Sequence, residues 1–180
     1  MIVNASCFLP RARYDASVNN IFLGLGSNLG DRLTNLRRAL EALAPQVLTG
    51  KKSSVYESEP MYVEQQPCFY NMVVQGTTTL TPLDLLRYVK NIEREMGRAE
   101  DSHNQPRVID IDVLMHGDVI MSLPELTLPH PRMHERAFVL APLNEVAPFH
   151  EHPISRKAVI DLLDELGGYE ETVWPANVEI

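Results

Sequence analysis

The segment Arg107-Val108-Ile109-Asp110-Ile111-Asp112-Val113-Leu114 sets two carboxylates two residues apart in a run rich in β-branched residues, introduced by Pro106. Such a run predicts a strand. Side chains on a strand alternate between faces, so Ile109, Ile111 and Val113 share one face. Asp110 and Asp112 share the other, about 7 Å apart at Cα. Two carboxylates so close repel each other unless positive charge lies between or above them. Hard divalent cations take such oxygen ligands, and Mg²⁺ is typically held by one or two carboxylates together with substrate phosphates. Arg98 and Arg107 bracket the approach to the pair, and a forked guanidinium suits phosphate oxygens. The competing reading is a strand whose outer face meets water, with the aspartates as solubilising charges. The flanking arginines favour metal and phosphate.

Other side chains could share that chemistry. In Phe69 to Thr79, Tyr70, Met72 and Val74 fall on one face, and Phe69, Asn71 and Val73 on the other. An aromatic beside a carboxamide can stack on a flat heterocycle and hydrogen-bond its edge; Phe69 as core filler with Asn71 as an edge residue is the equal alternative. His130 and Arg136 suit phosphate-facing cations near the aspartates, or else ordinary surface placement. His130 and His134 are four apart, but Pro131 lies between them and no HExxH arrangement exists, so zinc is not expected. Gly24, Gly26 and Gly30 have the spacing G-x-G-x-x-x-G, with Leu29 where a dinucleotide fingerprint needs its third glycine.

The elements that must position these residues read as follows. Ile21 to Gly26 is a short buried strand, and Ser27 to Asp31 the turn into a helix with Leu33, Leu36, Leu40 and Leu43 at helical spacing, stopped by Pro45. Val47 to Glu57 predicts a second strand and Phe69 to Thr79 a third. Thr81-Pro82-Leu83-Asp84 is a helix start, with a capping threonine, proline in the first turn and an acid at the third position. Leu85, Val89, Ile92 and Met96 form that helix's buried stripe, closed by Gly97. Glu93 is drawn towards the same stripe, either at its edge or aimed into a site at the helix end. After the aspartate strand, Val119 to Met121 suggests a short return strand. Leu128 to Phe138 leads into a helical run through Val146, and a last amphipathic helix spans about Ser155 to Leu166. Strand, helix, strand, strand, helix, strand is the ferredoxin-like βαββαβ order: an α+β fold with an antiparallel sheet, helices on one face and C-terminal accessory elements.

Composition bounds the rest. The 180 residues suit one domain, placed at residues 20–180, with residues 1–19 read as a disordered N-terminal extension. A net charge of −8 argues against a protein whose task is gripping nucleic acid. Any anionic substrate must therefore be held by a local arginine cluster with metal. Two cysteines, Cys7 and Cys68, make no disulfide framework, and a reduced cytosolic setting fits best. No apolar run approaches the length of a membrane span, so a soluble cytoplasmic protein without a membrane partner is expected.

Several blocks occur in one order: Leu25-Gly26-Ser27-Asn28-Leu29-Gly30-Asp31, Phe69-Tyr70-Asn71, Glu93 with Gly97-Arg98, Pro106 to Asp112, and Leu128-Pro129-His130-Pro131 through Arg136-Ala137-Phe138. With them the chain from about Asn20 to Leu166 resembles the 6-hydroxymethyl-7,8-dihydropterin pyrophosphokinases of folate biosynthesis. The resemblance implies transfer of pyrophosphate from ATP to the pterin hydroxymethyl group, with release of AMP. It implies two Mg²⁺ ions held by Asp110 and Asp112, Asn71 hydrogen-bonded to the pterin, and Phe69 and Phe138 around its ring. Arg98, Arg107, His130 and Arg136 match phosphate-facing positions, with Arg98 and Arg107 catalytic as well, and Glu93 matches a position associated with ATP binding. Phosphoryl-type transfer is chiefly positioning and charge stabilisation, which metals and cations supply.

The match has departures. Relatives often carry basic residues and a tryptophan between the Arg98 and Arg107 positions; here Glu100 to Gln105 holds neither lysine nor tryptophan, and Glu125 stands where some relatives have a basic residue. The loop that closes over ATP is thus the part the resemblance carries least. Two rival readings remain: Mg-dependent phosphoryl transfer to another small alcohol, and a ferredoxin-like nucleic-acid-binding module.

Overall fold

The strands follow from alternation of apolar residues, and the sheet from the way those alternations align. The computed structural model describes residues 18–61, 66–98 and 105–180. Most of the expected N-terminal extension (1–17) and nearly all of the departing loop (99–104) lie outside the described residues. Strand β1 (Asn19–Ser27) is the spine. It pairs antiparallel with β4 (Phe69–Thr78) on one side and with β5 (Asp110–His116) on the other. Beyond β4 come β2 (Leu48–Lys52) and β3 (Tyr56–Ser58), both antiparallel to it. The order β5-β1-β4-β3 is the split βαβ arrangement expected from the element sequence.

Helices α1 (Arg32–Leu43) and α2 (Pro82–Glu95) make the two crossovers. Their starts are chemical. Asp31 accepts the Thr34 N–H at 3.0 Å, and Thr81 accepts the Asp84 N–H at 3.2 Å, each satisfying a donor that the first turn leaves free. Both helices cover the sheet face built from Ile21, Leu23, Leu25, Met72, Val74, Ile109 and Ile111, which are 0–2% exposed. Trimming one such residue to alanine costs about 2–5 kcal/mol.

The accessory elements add a third layer. Helices α3 (Ala137–Val146) and α4 (Val159–Leu166) pack over the opposite sheet face, against Phe22, Val73, Leu114 and Met115. They cover that face only in part. Phe69, Asn71, Gly24, Gly26, Asp110 and Asp112 have the same parity as Phe22 and Val73, and they border open space.

Four local outcomes differ from the sequence reading. The expected strand Val47–Glu57 is broken at Ser53–Val55, because Ser54 gives its N–H and hydroxyl to the Glu145 carboxylate of α3 at 2.9–3.0 Å instead of to a ladder. The return strand β6 (Met121–Ser122) pairs with β7 (Thr127–Leu128) in a separate two-stranded ribbon. The last helix starts at Val159 instead of near Ser155, since His152 Nδ1 accepts the N–H groups of Ile154 and Ser155 and holds that stretch as a turn. Finally β8 (Val173–Pro175), unforeseen, joins the outer edge of β3.

Candidate active site

The uncovered sheet face is the floor of a cavity of about 420 Å³. Two cross-strand rows define it. Gly26 on β1 lies between Asn71 on β4 and Asp110 on β5, and Gly24 between Val73 and Asp112. Gly26 leaves bare backbone between a carboxamide and a carboxylate on the two strands that flank β1. A Cβ on Gly26 would stand 3.1 Å from Asn71 Oδ1 and 3.7 Å from the Phe69 ring, in the space between the two walls. The glycine pattern that failed as a dinucleotide fingerprint therefore has a different use.

On the β4 side, Asn71 is 6% exposed and donates through Nδ2 to Ser58 Oγ at 2.9 Å. That bond turns Oδ1 towards Gly26. Phe69 stands beside it, and Phe138, in the first turn of α3, also lines the cavity. Each ring has a guanidinium nearby: Arg107 at 5.9 Å from the Phe69 centroid and Arg136 at 5.6 Å from that of Phe138. A flat, partly polar ring fits such a slot.

On the β5 side the charges are dense. Asp110 is bonded by Arg98 through Oδ1 and by Arg107 through Oδ2 at 2.7 Å, with Lys90 Nζ 3.9 Å away. Burial alone would raise its pKa, but Arg98, Lys90 and Arg107 together hold the carboxyl below its usual range. Asp112 is less engaged, with Arg136 Nη1 3.8 Å from Oδ2. Arg136 is 8% exposed, and among the described residues its buried Nε–H has no acceptor. A buried guanidinium with an idle donor beside a cavity suits an anionic ligand. His130 lines the same wall. Burial pushes its pKa down against the opposing pull of Asp112, and its Nδ1 accepts the Arg132 N–H at 3.3 Å.

Every expected site residue except Glu93 lines the cavity. Glu93 is 2% exposed and lies beneath the wall, where its carboxylate accepts the Ile111 N–H at 2.6 Å and binds Lys90 and Arg98 at 2.8 Å each. Its oxygens are spent on these bonds, so the geometry offers a carboxylate that orients two cations instead of one that touches a nucleotide. Burial raises its pKa and the Lys90 ammonium opposes that rise.

Sequence reasoning passed over Lys90, Ser58 and Asn28. Lys90 precedes Glu93 by three, a spacing that pairs side chains on a helix. Asn28 is 1% exposed; its Oδ1 accepts the Arg107 N–H at 2.7 Å and its own N–H donates to Arg107 O at 3.1 Å, anchoring that arginine's backbone. Its place in the turn after β1 was visible, but its partner 79 residues away was not.

Hard oxygen donors at Asp110 and Asp112, one of them only loosely paired, fit Mg²⁺. Among the described residues no group of three or more His, Cys, Asp or Glu could hold a metal by itself. A site of two carboxylates completed by ligand phosphates is the arrangement these residues allow.

The fold and the cavity define the class: a ferredoxin-like domain whose open sheet face carries a cavity, half aromatic and half charged. Residues 22–148 match the family model described as 7,8-dihydro-6-hydroxymethylpterin-pyrophosphokinase, and the chain belongs to that family. It is 40% identical over 145 residues to a 2-amino-4-hydroxy-6-hydroxymethyldihydropteridine pyrophosphokinase of Aquifex aeolicus, covering 81% of this chain and 91% of the relative. To the protein of the same description from Bacillus subtilis it is 44% identical over 132 residues, 72% of this chain and 79% of the relative. A folic acid synthesis protein of Dictyostelium discoideum is 43% identical over 139 residues, 77% of this chain, yet the match spans only 21% of that longer protein. Among solved structures, wild-type Plasmodium falciparum HPPK-DHPS with pteroate aligns with a TM-score of 0.70 at 16% identity, over 86% of this chain and 45% of that one. That likeness supports the fold. No helix among the described residues is long and apolar enough to cross a membrane.

Proposed function

We propose that this chain transfers pyrophosphate from ATP to the hydroxymethyl group of 6-hydroxymethyl-7,8-dihydropterin, a step of folate biosynthesis. The observation that carries the reading is the cross-strand row Asn71–Gly26–Asp110, which sets a ring-recognising carboxamide and a phosphate-wall carboxylate on either side of bare backbone. A flat heterocycle held by Asn71, Phe69 and Phe138 would present a substituent directly to the charged wall. The substrate's hydroxymethyl oxygen bonds to the β-phosphorus of ATP as the bond between that phosphorus and the α-bridging oxygen breaks. AMP leaves with the bridging oxygen, and one proton is released. The nucleophile belongs to the substrate, so the protein's task is alignment and charge.

Arg98, Arg107, Lys90, His130 and Arg136 would hold the phosphate oxygens and the charge that develops on them. Asp110 and Asp112 would hold Mg²⁺, with two ions proposed, and the metal would neutralise phosphate charge. Glu93 would act through Arg98 and Lys90. The catalytic unit is residues 20–180, and the cytosol is the proposed compartment on the cysteine usage of the sequence.

The deciding experiment mixes the protein with ATP, Mg²⁺ and the hydroxymethyl-dihydropterin and separates the nucleotide products. AMP and a pterin diphosphate are expected, and chelation of Mg²⁺ should stop the reaction. ADP in place of AMP would mean ordinary single-phosphoryl transfer.

A further inference from the structure

Strand β8 lies beyond residue 148, where the family match ends. It runs antiparallel along the outer edge of β3, with Val173 opposite Ser58, Trp174 opposite Glu57 and Pro175 opposite Tyr56. The pairing continues past both ends of the strand. Glu59 N–H donates to Thr172 O at 3.4 Å, and Ala176 N–H donates to Val55 O at 2.8 Å. Val173 is buried in the layer that includes Tyr56, while Ala176 and Val178 pack against the core on the other side of the sheet. Further along, Arg37 Nη2 donates to Glu179 O at 2.7 Å. The segment is a strap fastened on both faces of the sheet edge.

What it straps matters to the cavity. β3 is three residues long, and a strand that short has little hold of its own. It carries Ser58, whose hydroxyl orients Asn71, and runs straight into the rim residues Glu59, Pro60 and Met61. β4 holds the inner edge of β3 and β8 the outer edge, so Ser58 and the rim are carried on a strand that is paired on both sides. Asp110, Asp112, Lys90, Arg98 and Arg107 are on or beside β5 and α2, at the opposite edge of the strand order, and His130 and Arg136 reach the charged half from the segment before α3.

We propose that β8 is a positioning element for the heterocycle half of the site, acting through β3 and Ser58 on Asn71. This rests on the pterin reading given above. Loss of the strap should weaken pterin binding while ATP binding is kept.

Hydrogen bonds alternate along an antiparallel ladder, so the bonds at Glu59 and Ala176 make Glu57 and Trp174 the pair that exchange N–H and C=O between them. Trp174→Pro removes that donor and breaks the strand; Trp174→Phe removes the indole and keeps the strand. Affinity for 6-hydroxymethylpterin is measured by calorimetry with a non-hydrolysable ATP analogue and Mg²⁺ saturating, and affinity for the analogue separately. In Trp174→Pro, pterin binding should weaken roughly tenfold, with the analogue within about twofold of the unaltered chain and Trp174→Phe unaffected, tenfold being about 1.4 kcal/mol. In the unaltered chain, pterin should slow amide exchange at Trp174 and Ala176 together with Glu57 and Glu59. Equal weakening of both ligands, unchanged pterin affinity in Trp174→Pro, or exchange at Trp174 and Ala176 indifferent to pterin while Glu57 and Glu59 slow would each overturn the inference. An unaltered chain that binds the analogue but no pterin would sink the pterin reading itself, and this inference with it.

Discussion

Asn71 gives an amide hydrogen to Ser58 Oγ at 2.9 Å, and this fixes which end of its carboxamide faces the cavity. The acceptor Oδ1 points over Gly26, where only a residue without a side chain leaves room. The proposed recognition of a ring edge by Asn71 would thus depend on a hydroxyl that belongs to a different strand.

Ser58→Ala should therefore weaken pterin binding more than it disturbs the fold. It strands a buried amide donor, at a cost of about 1–3 kcal/mol, and frees the carboxamide to flip. Calorimetric titration should show roughly tenfold weaker pterin binding with ATP affinity preserved. Unchanged pterin affinity would mean that Asn71 is oriented by something else.

The two aspartates should separate in their effects on stability. Asp112 has one cation at 3.8 Å, so Asp112→Ala should leave the thermal midpoint nearly unchanged. Turnover should fall by 10²-fold or more, on the order expected for one electrostatic contributor. Asp110 neutralises Arg98 and Arg107 together, so Asp110→Ala should lose both turnover and stability, since Arg107 loses its carboxylate partner and Arg98 and Lys90 are left to share Glu93. AMP release and a thermal melt, taken side by side, check both. A well-folded Asp112→Ala protein with near-normal activity would remove the metal assignment.

Glu93 offers a test of action at second hand. Glu93→Gln keeps an acceptor for the Ile111 N–H but discharges the buried anchor of Lys90 and Arg98. The expected result is a fall in kcat of roughly 10-fold to 10²-fold, the scale for misplaced catalytic groups, with pterin affinity unaltered. Glu93→Leu should cost about 3–5 kcal/mol of stability as well, because it leaves cations without their buried partner. A Glu93→Gln variant with full kcat would show that the anchor is dispensable.

Acid should loosen the turn before α4. Burial, aided by the neighbouring His134, holds the His152 pKa below its usual value, and its Nδ1 accepts two backbone N–H groups only when neutral. Above the ordinary histidine pKa of about 6.5 both folded and unfolded chains carry the neutral ring, and the stabilisation is complete. As pH falls below that value the unfolded chain takes up the proton first, so stability declines down to the folded-state pKa. Thermal midpoints from pH 7 to pH 5 should drop, and His152→Gln should make the drop shallower. A residual slope is expected from His150, whose pKa burial also lowers. An identical slope in the variant would rule His152 out.

Much of this protein was determined by local sequence. The alternation through Ile109-Asp110-Ile111-Asp112-Val113 put the isoleucines under the helices and the aspartates on the other face. The parity of Phe69 and Asn71 did the same on β4, and Thr81-Pro82 started α2 where it begins. These features depend on neighbours two to four residues apart, so periodicity and capping reveal them. The tertiary structure alone decided the rest. Which residue of β1 lies between Asn71 and Asp110 is a matter of register, and Gly26 gains its meaning only from partners some 45 and 84 residues away. Glu93 reads as a stripe residue until the Ile111 N–H and the Arg98 guanidinium arrive above it. The break at Ser53–Val55 is made by Glu145, and β8 is too short to carry any period of its own. Both depend on hydrogen-bond partners that the folded chain supplies from far along the sequence, and no local pattern encodes a distant partner.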